Sequence, residues 1–219
     1  MIAEYELRRI AGKAGIGVGQ AEHEYIVLCA LDALARSDIL SRSFCLKGGT
    51  ALRLLYFADW RHSVDLDFTV LPPFPPGELR AGLAGWLEQM GHLHGLRASL
   101  DTLHRANGAA RARVRVIGPL HHPTRLLLDV TLDESVLLPT QSRYVVTELL
   151  AEPHPLVLTY TLEEILAEKL RSLLQRGKAR DYYDVWRLLK EKSESFDGHA
   201  VRRVLTVKCA HKGLPGPSA

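Results

Sequence analysis

Cysteine is scarce and scattered in this chain: Cys29, Cys45 and Cys209 are the three present, and no two stand in a C-x-x-C spacing. An odd, dispersed set supports neither a disulfide framework nor a zinc knuckle, so reduced thiols are expected. Long apolar runs are missing as well, with nothing approaching the roughly 20 residues that span a bilayer. Glu4 and Glu6 stand where a secretory signal would be basic and then apolar, which predicts a soluble cytoplasmic protein. A large charge imbalance is absent too. The 28 Lys and Arg against 25 Asp and Glu leave +3, a mild basicity that suits a nucleic-acid partner and a metabolic enzyme equally. No internal repeat occurs, and 219 residues with 47% hydrophobic content suffice for one substantial core with a helical appendage.

What the chain does have is concentrated between Phe44 and Val70, FCLKGGTALRLLYFADWRHSVDLDFTV. Phe44 to Leu46 is a short apolar run that ends at Gly48-Gly49, after which Thr50 is a plausible N-cap for a helix from Ala51 to Phe57. Val64 to Val70 then reads as a strand. Side chains alternate along a strand, so Asp65 and Asp67 point one way while Val64, Leu66 and Phe68 point into packing. Two carboxylates on one face repel each other unless a cation sits between them, and oxygen-only ligands favour Mg²⁺ or Mn²⁺ over zinc. A Gly-Gly turn ahead of such a pair lets backbone N–H groups approach a phosphate, with a helix N-terminus adding a favourable dipole. Together these features suggest a site for a metal-bound nucleoside triphosphate.

Helical periodicity covers most of residues 1 to 37, with a break between Gly15 and Gly19. A Pro-rich stretch, Pro72 to Pro76, closes the strand after Val70, and Glu78 to Met90 reads as an amphipathic helix. Two or three antiparallel strands are expected between Leu96 and Thr131. There Arg111, Arg113 and Arg115 alternate with Ala112, Val114 and Val116, as either a phosphate-tracking stripe or an ordinary solvent face. Val145 to Leu150 and Leu156 to Tyr160 are short and ambiguous. From Thr161 onward the chain reads as helical: a Thr161–Glu164 capping box, a stop at Gly177, a second helix from Asp181 to Lys192, and a disordered tail. This gives a core at residues 1–140, a C-terminal helical part at 141–210 that completes the site, and a flexible end at 211–219.

Holding metal during phosphoryl or nucleotidyl transfer calls for a third carboxylate. Asp129, set amid Leu127, Leu128 and Val130, would be costly to bury without a cation, and Asp133 shares its strand parity as competitor. A charge-dense block, Glu168 to Asp184, offers Lys169 as a point charge for a triphosphate. The same block also reads as solvated helix faces with pairs such as Arg180 to Asp184.

KGGTALRLLYF, RHSVDLDF and EEILAEKLRSLLQRGKARDYYDVW together resemble the AbiEii/AbiGii nucleotidyltransferase toxins, which include the MenT toxins of bacterial toxin–antitoxin systems, over about residues 20 to 190. The resemblance implies an α+β fold: a polymerase-β-like mixed sheet flanked by helices, with a helical C-terminal part. It further implies transfer of a nucleotide from an NTP, with release of pyrophosphate, onto an acceptor. In the MenT branch that acceptor is the tRNA 3′ end, which blocks translation. On matching positions it places Asp65, Asp67 and Asp129 at the metal, and adds Lys169 and Asp181 to the catalytic set. Lys47, Gly48, Gly49, Thr50, Arg61, Ser63, Lys169 and Arg180 form the expected nucleotide-binding set. The family often shows Lys two residues before the third carboxylate; here that place is Leu127, so either Arg125 supplies the charge or Asp129 is not the third ligand. The resemblance also suggests a cognate antitoxin. Two rival readings remain: a transferase that modifies protein hydroxyls, and a catalytically idle nucleotide-binding module acting through a partner.

Overall fold

The protein is described from a computed structural model, which covers residues 1–63, 65–145, 147–192 and 196–216. Its centre is a mixed seven-stranded sheet in the order β3-β4-β5-β2-β1-β7-β6. The strands are β1 (Phe44–Lys47), β2 (Leu66–Val70), β3 (Arg97–Ala106), β4 (Ala109–Ile117), β5 (Pro123–Thr131), β6 (Gln141–Tyr144) and β7 (Leu156–Thr159). β2 lies antiparallel to β1 and parallel to β5, and β3, β4 and β5 form an antiparallel meander beyond them.

One face of the sheet is apolar. Leu66, Phe68, Ala112, Val114, Val116, Leu126, Leu128 and Val130 are all buried there, as strand alternation requires. α2 (Val18–Ala35) and α5 (Leu79–His94) cover that face. Phe68 meets Trp86 of α5 edge-on at 6.1 Å, and the Trp86 indole N–H donates to the Ala30 carbonyl of α2 at 2.7 Å. α2 is buried on nearly all sides from Ala21 to Leu34, because α1 (Glu4–Ala14) packs on its outer side.

The opposite face is polar and only partly covered. α6 (Leu162–Arg176), α7 (Ala179–Lys192) and α8 (Gly198–His211) stand over its β1–β2 end, leaving the outward side chains of β4 exposed. α6 starts as expected, with the Thr161 hydroxyl accepting from the Glu164 N–H at 3.2 Å. The Glu164 side chain does not close the box. It accepts instead from the Leu137 and Leu138 N–H groups and pairs with Lys208 of α8. Gly177 ends α6 in a left-handed conformation, φ 55°.

Several expectations change. Asp65 precedes β2 rather than belonging to it, and Val64 lies outside the described residues. Thr50 is not an N-cap: beyond the short helix α3 (Leu40–Ser43) and β1, helix α4 (Gly48–Ala51) already begins at Gly48 and runs into a wider turn over Leu52–Tyr56, closed by a Phe57 N–H to Leu52 carbonyl bond. Of the two ambiguous segments, Leu156–Thr159 is a strand, whereas residues 145 and 147–150 form none and Val146 is outside the described residues. β6 was not expected. It is fully exposed and polar, a short edge strand with no apolar face to announce it. β6 and β7 lie C-terminal to residue 140 yet join the same sheet as β1. The end of the disordered tail expected from sequence, residues 217–219, also falls outside the described set. No described helix is long and apolar enough to cross a membrane.

Candidate functional site

Strand register assembles the centre of the site. Asp67 is the partner of Lys47 on β1 and of Asp129 on β5, and Asp129 is in turn the partner of Arg111 on β4. Two carboxylates therefore sit side by side on the polar face, flanked by cations. Asp129 is bound by Arg111, whose Nε donates to Oδ1 at 2.6 Å and Nη2 to Oδ2 at 3.3 Å. The cation beside Asp129 is Arg111 rather than Arg125, which stands two strand repeats away, opposite Arg115. No described residue donates a hydrogen bond to the Asp67 carboxylate. Burial, with Asp129 and Glu168 nearby, pushes it up to about 6 even though Lys47 and Lys169 pull the other way.

The Gly-Gly turn is shaped around these side chains. At Gly48, φ +76°, a Cβ would lie 2.5 Å from Asp67 Oδ2, and at Gly49 one would lie 2.8 Å from Ser63 Oγ and 3.0 Å from an Arg61 nitrogen. Thr50 is fully buried, and its hydroxyl donates to the Asp65 carbonyl at 2.6 Å and accepts from the Ser63 hydroxyl at 3.1 Å, fixing the segment that enters β2. The Asp65 side chain lies 3.8 Å from Arg180.

A second, cationic wall comes from α6 and α7. Lys169 reaches Asp184 at 2.9 Å and Asp181 at 3.6 Å, and both carboxylates are fully buried. Asp184 also accepts from Arg61 through two nitrogens, at 2.7 and 2.6 Å, and from the Trp60 indole at 3.1 Å. Burial would raise the Asp184 pKa, but the Arg61 and Lys169 contacts more than reverse this and leave it below the ordinary range. Asp181 is held by Arg176 at 3.0 and 3.3 Å. Asp184 thus pairs with Arg61 and Lys169 rather than with Arg180 in the helical i,i+4 pair expected from the sequence. Between the walls lies a cleft of about 250 Å³, lined by Gly48, Asp67 and Asp129 on the sheet side and Lys169, Arg171 and Arg176 on the helix side.

Under the cleft is a buried ion network that sequence reasoning missed. Lys47, counted above among the nucleotide-binding residues, gives its ammonium to Glu168 at 2.8 Å, Glu134 at 3.1 Å and Thr131 at 3.2 Å. Lys208, 1% exposed at its side chain, bridges Glu134 and Glu164 at 3.0 and 3.1 Å. The signal available in sequence was Lys47 itself, a charge in a strand whose four residues are all buried. Arg171, part of the charge-dense block but outside the expected site set, has a buried Nε with no hydrogen-bond partner among the described residues. Asp133 lies beyond β5, against Gly108 of the β3–β4 turn and 3.7 Å from His211.

Asp65, Asp67 and Asp129 are an oxygen-only donor set, and the raised Asp67 carboxyl is the kind of partly compensated buried charge that a hard divalent cation relieves. The chemistry fits. As the side chains stand, Asp65 and Asp129 lean on arginines, and no three His, Cys, Asp or Glu side chains among the described residues converge closely enough to hold an ion.

The family model described as "Nucleotidyl transferase AbiEii toxin, Type IV TA system" matches residues 30–218. The chain belongs to this family. Its AbiEii-type fold is also that of MenT4, a nucleotidyltransferase toxin from Mycobacterium tuberculosis H37Rv: 19% of residues are identical over 95% of this chain and 70% of that one, with a TM-score of 0.66. No curated protein matches the chain by sequence. The expected α+β architecture, a mixed sheet flanked by helices, is therefore shown by the family and by the fold together.

Proposed function

We propose that this AbiEii-family toxin is a metal-dependent nucleotidyltransferase that moves a nucleotide from an NTP to RNA, at the tRNA 3′ end, and so blocks translation. The observation that supports this best is the opposition of two walls across one cleft. Asp67 and Asp129 stand in register on the sheet side, with Lys169, Arg171 and Arg176 on the helix side. Carboxylates facing cations across a gap suit an anionic substrate that arrives with a divalent cation.

In this reading Asp65, Asp67 and Asp129 hold Mg²⁺ or Mn²⁺, which when bound neutralises charge developing at the α-phosphate. Lys169, positioned by Asp181 and Asp184, binds the triphosphate together with Arg171 and with Arg61 or Arg180. Asp129 accepts the proton of the attacking hydroxyl while pyrophosphate leaves. Residues 1–140 supply the carboxylate wall and residues 141–210 the cationic one, so the two parts would form one catalytic unit. A cognate antitoxin and a cytoplasmic setting follow from the same reading.

The test is incubation of purified protein with each α-labelled NTP, Mg²⁺, total RNA and cell protein. Label is expected in RNA, at 3′ ends read by deep sequencing. Label confined to protein would favour hydroxyl modification of a polypeptide, and no pyrophosphate release with any acceptor would favour an idle binding module.

A further inference from the structure

The open face of β4 and β5 carries four arginines on one side. Strand register makes Arg111 the partner of Asp129, Arg113 the partner of Leu127, and Arg115 the partner of Arg125. All four are exposed. Partners across antiparallel strands point the same way, so these cations share the face of Asp67 and Asp129 and lead away from those carboxylates along the sheet. A solvated strand face ordinarily sets opposite charges against each other, and like charges directly opposite are destabilising. Arg115 opposite Arg125 breaks that pattern. Arg111 is paired with Asp129 and Arg115 with Asp101, but neither Arg113 nor Arg125 has a carboxylate partner among the described residues. An extended row of arginines, two of them uncompensated and starting at a candidate catalytic carboxylate, is complementary to a chain of regularly spaced anions. Alternate residues on a strand are about 6.7 Å apart, a spacing that an extended nucleic-acid strand can follow phosphate by phosphate.

We infer that the exposed face of β4 and β5 is the track for a single-stranded RNA acceptor, whose phosphates lie on Arg113 and Arg125 while its end reaches the cleft at Asp129. This rests on the RNA-acceptor reading above and adds the surface that binds the acceptor. Arg113 and Arg125 act through phosphates and carry no sequence preference.

The test is fluorescence anisotropy of full-length protein with a fluorescein-labelled single-stranded RNA oligonucleotide over a series of salt concentrations. The double variant Arg113→Ala/Arg125→Ala is expected to bind at least about tenfold more weakly and to lower the slope of log affinity against log salt by about 1.4, since each single-strand phosphate contact contributes about 0.7. Arg113→Lys/Arg125→Lys should keep most of the slope, because an ammonium still meets a phosphate. Arg8→Ala/Arg9→Ala, which removes the same charge from α1, should leave both values unchanged. The inference is overturned if wild-type protein does not bind the oligonucleotide, if the α1 control weakens binding equally, or if the slope is unaltered. Nucleotidyl transfer, assayed separately, distinguishes the two claims. Binding lost in the alanine variant with no transfer by wild type upholds the track and removes the reaction. Transfer with unchanged KM for RNA in that variant removes the track and keeps the reaction.

Discussion

Asp67 and Asp129 are register partners on parallel strands, yet only Asp129 has a guanidinium bound to it. Asp67 is left with its charge opposed by burial and by its neighbour, and its carboxyl is pushed up to about 6. Such a residue costs the fold something that function requires. Asp67→Asn is expected to raise the melting temperature of the metal-free protein at neutral pH, by on the order of 1–2 kcal/mol, or a few degrees for a chain of this size, while abolishing nucleotidyl transfer. Thermal denaturation with and without Mn²⁺ checks this. Wild type should gain stability on addition of the ion and the asparagine variant should not; a variant less stable than wild type in the absence of metal would contradict the strain at Asp67.

Gly48 is the backbone counterpart of that strain. A methyl there would enter Asp67 Oδ2 and would also occupy a left-handed backbone position, φ +76°. Gly48→Ala is expected to cost about 1–2 kcal/mol from the conformation alone and to displace the Asp67 carboxylate. Circular-dichroism melting should show a folded protein melting several degrees lower, and kcat should fall far more than the modest stability loss accounts for.

The network beneath the cleft makes a pH prediction. Burial would push Glu134 up, but Lys47 and Lys208 beside it more than reverse this and hold its carboxyl at about 2, against 4.5 in the unfolded chain. A folded value below the unfolded one gives stability that is complete above pH 4.5 and is lost as pH falls toward 2. Melting temperatures of wild type should therefore drop steeply between pH 4.5 and 2, with a few kcal/mol at stake, and Glu134→Gln should flatten that limb. Lys208→Met should cost roughly 3–5 kcal/mol at neutral pH, because it leaves Glu164 in the interior without its cation and Glu134 with Lys47 alone.

Much of this site was legible where chemistry is local. The β4 alternation, the Thr161 cap and the Gly177 stop depend on residues close in sequence, and periodicity or turn chemistry reports them directly. What was hidden depends on register and on distant chain segments. Arg111 becomes the partner of Asp129 only once β4 is aligned with β5, and Lys47 and Lys208 meet at Glu134 only once α8 is docked. Asp65 seemed equivalent to Asp67 because strand parity was extended one residue past the point where pairing begins. The Asp65 carbonyl is bound there by the Thr50 hydroxyl.

Arg171 offers the most discriminating test of the cationic wall. Its Nη1 is bonded to Gln175 and its Nη2 lies 3.7 Å from Glu168, but the buried Nε is unsatisfied among the described residues. A buried guanidinium with a donor to spare, on a cleft facing two carboxylates, is suited to a phosphate oxygen. Arg171→Ala should preserve the fold, since Glu168 keeps Lys47 at 2.8 Å, and should raise KM for the NTP by about tenfold or more, equivalent to about 1.4 kcal/mol, with KM for RNA unchanged. Arg171→Lys should not restore the wild-type value, because an ammonium on a shorter stem lacks the planar fork. Steady-state kinetics with each substrate varied in turn measures this. An unchanged KM for the NTP in the alanine variant would make Arg171 a support for α6 rather than a ligand of the triphosphate.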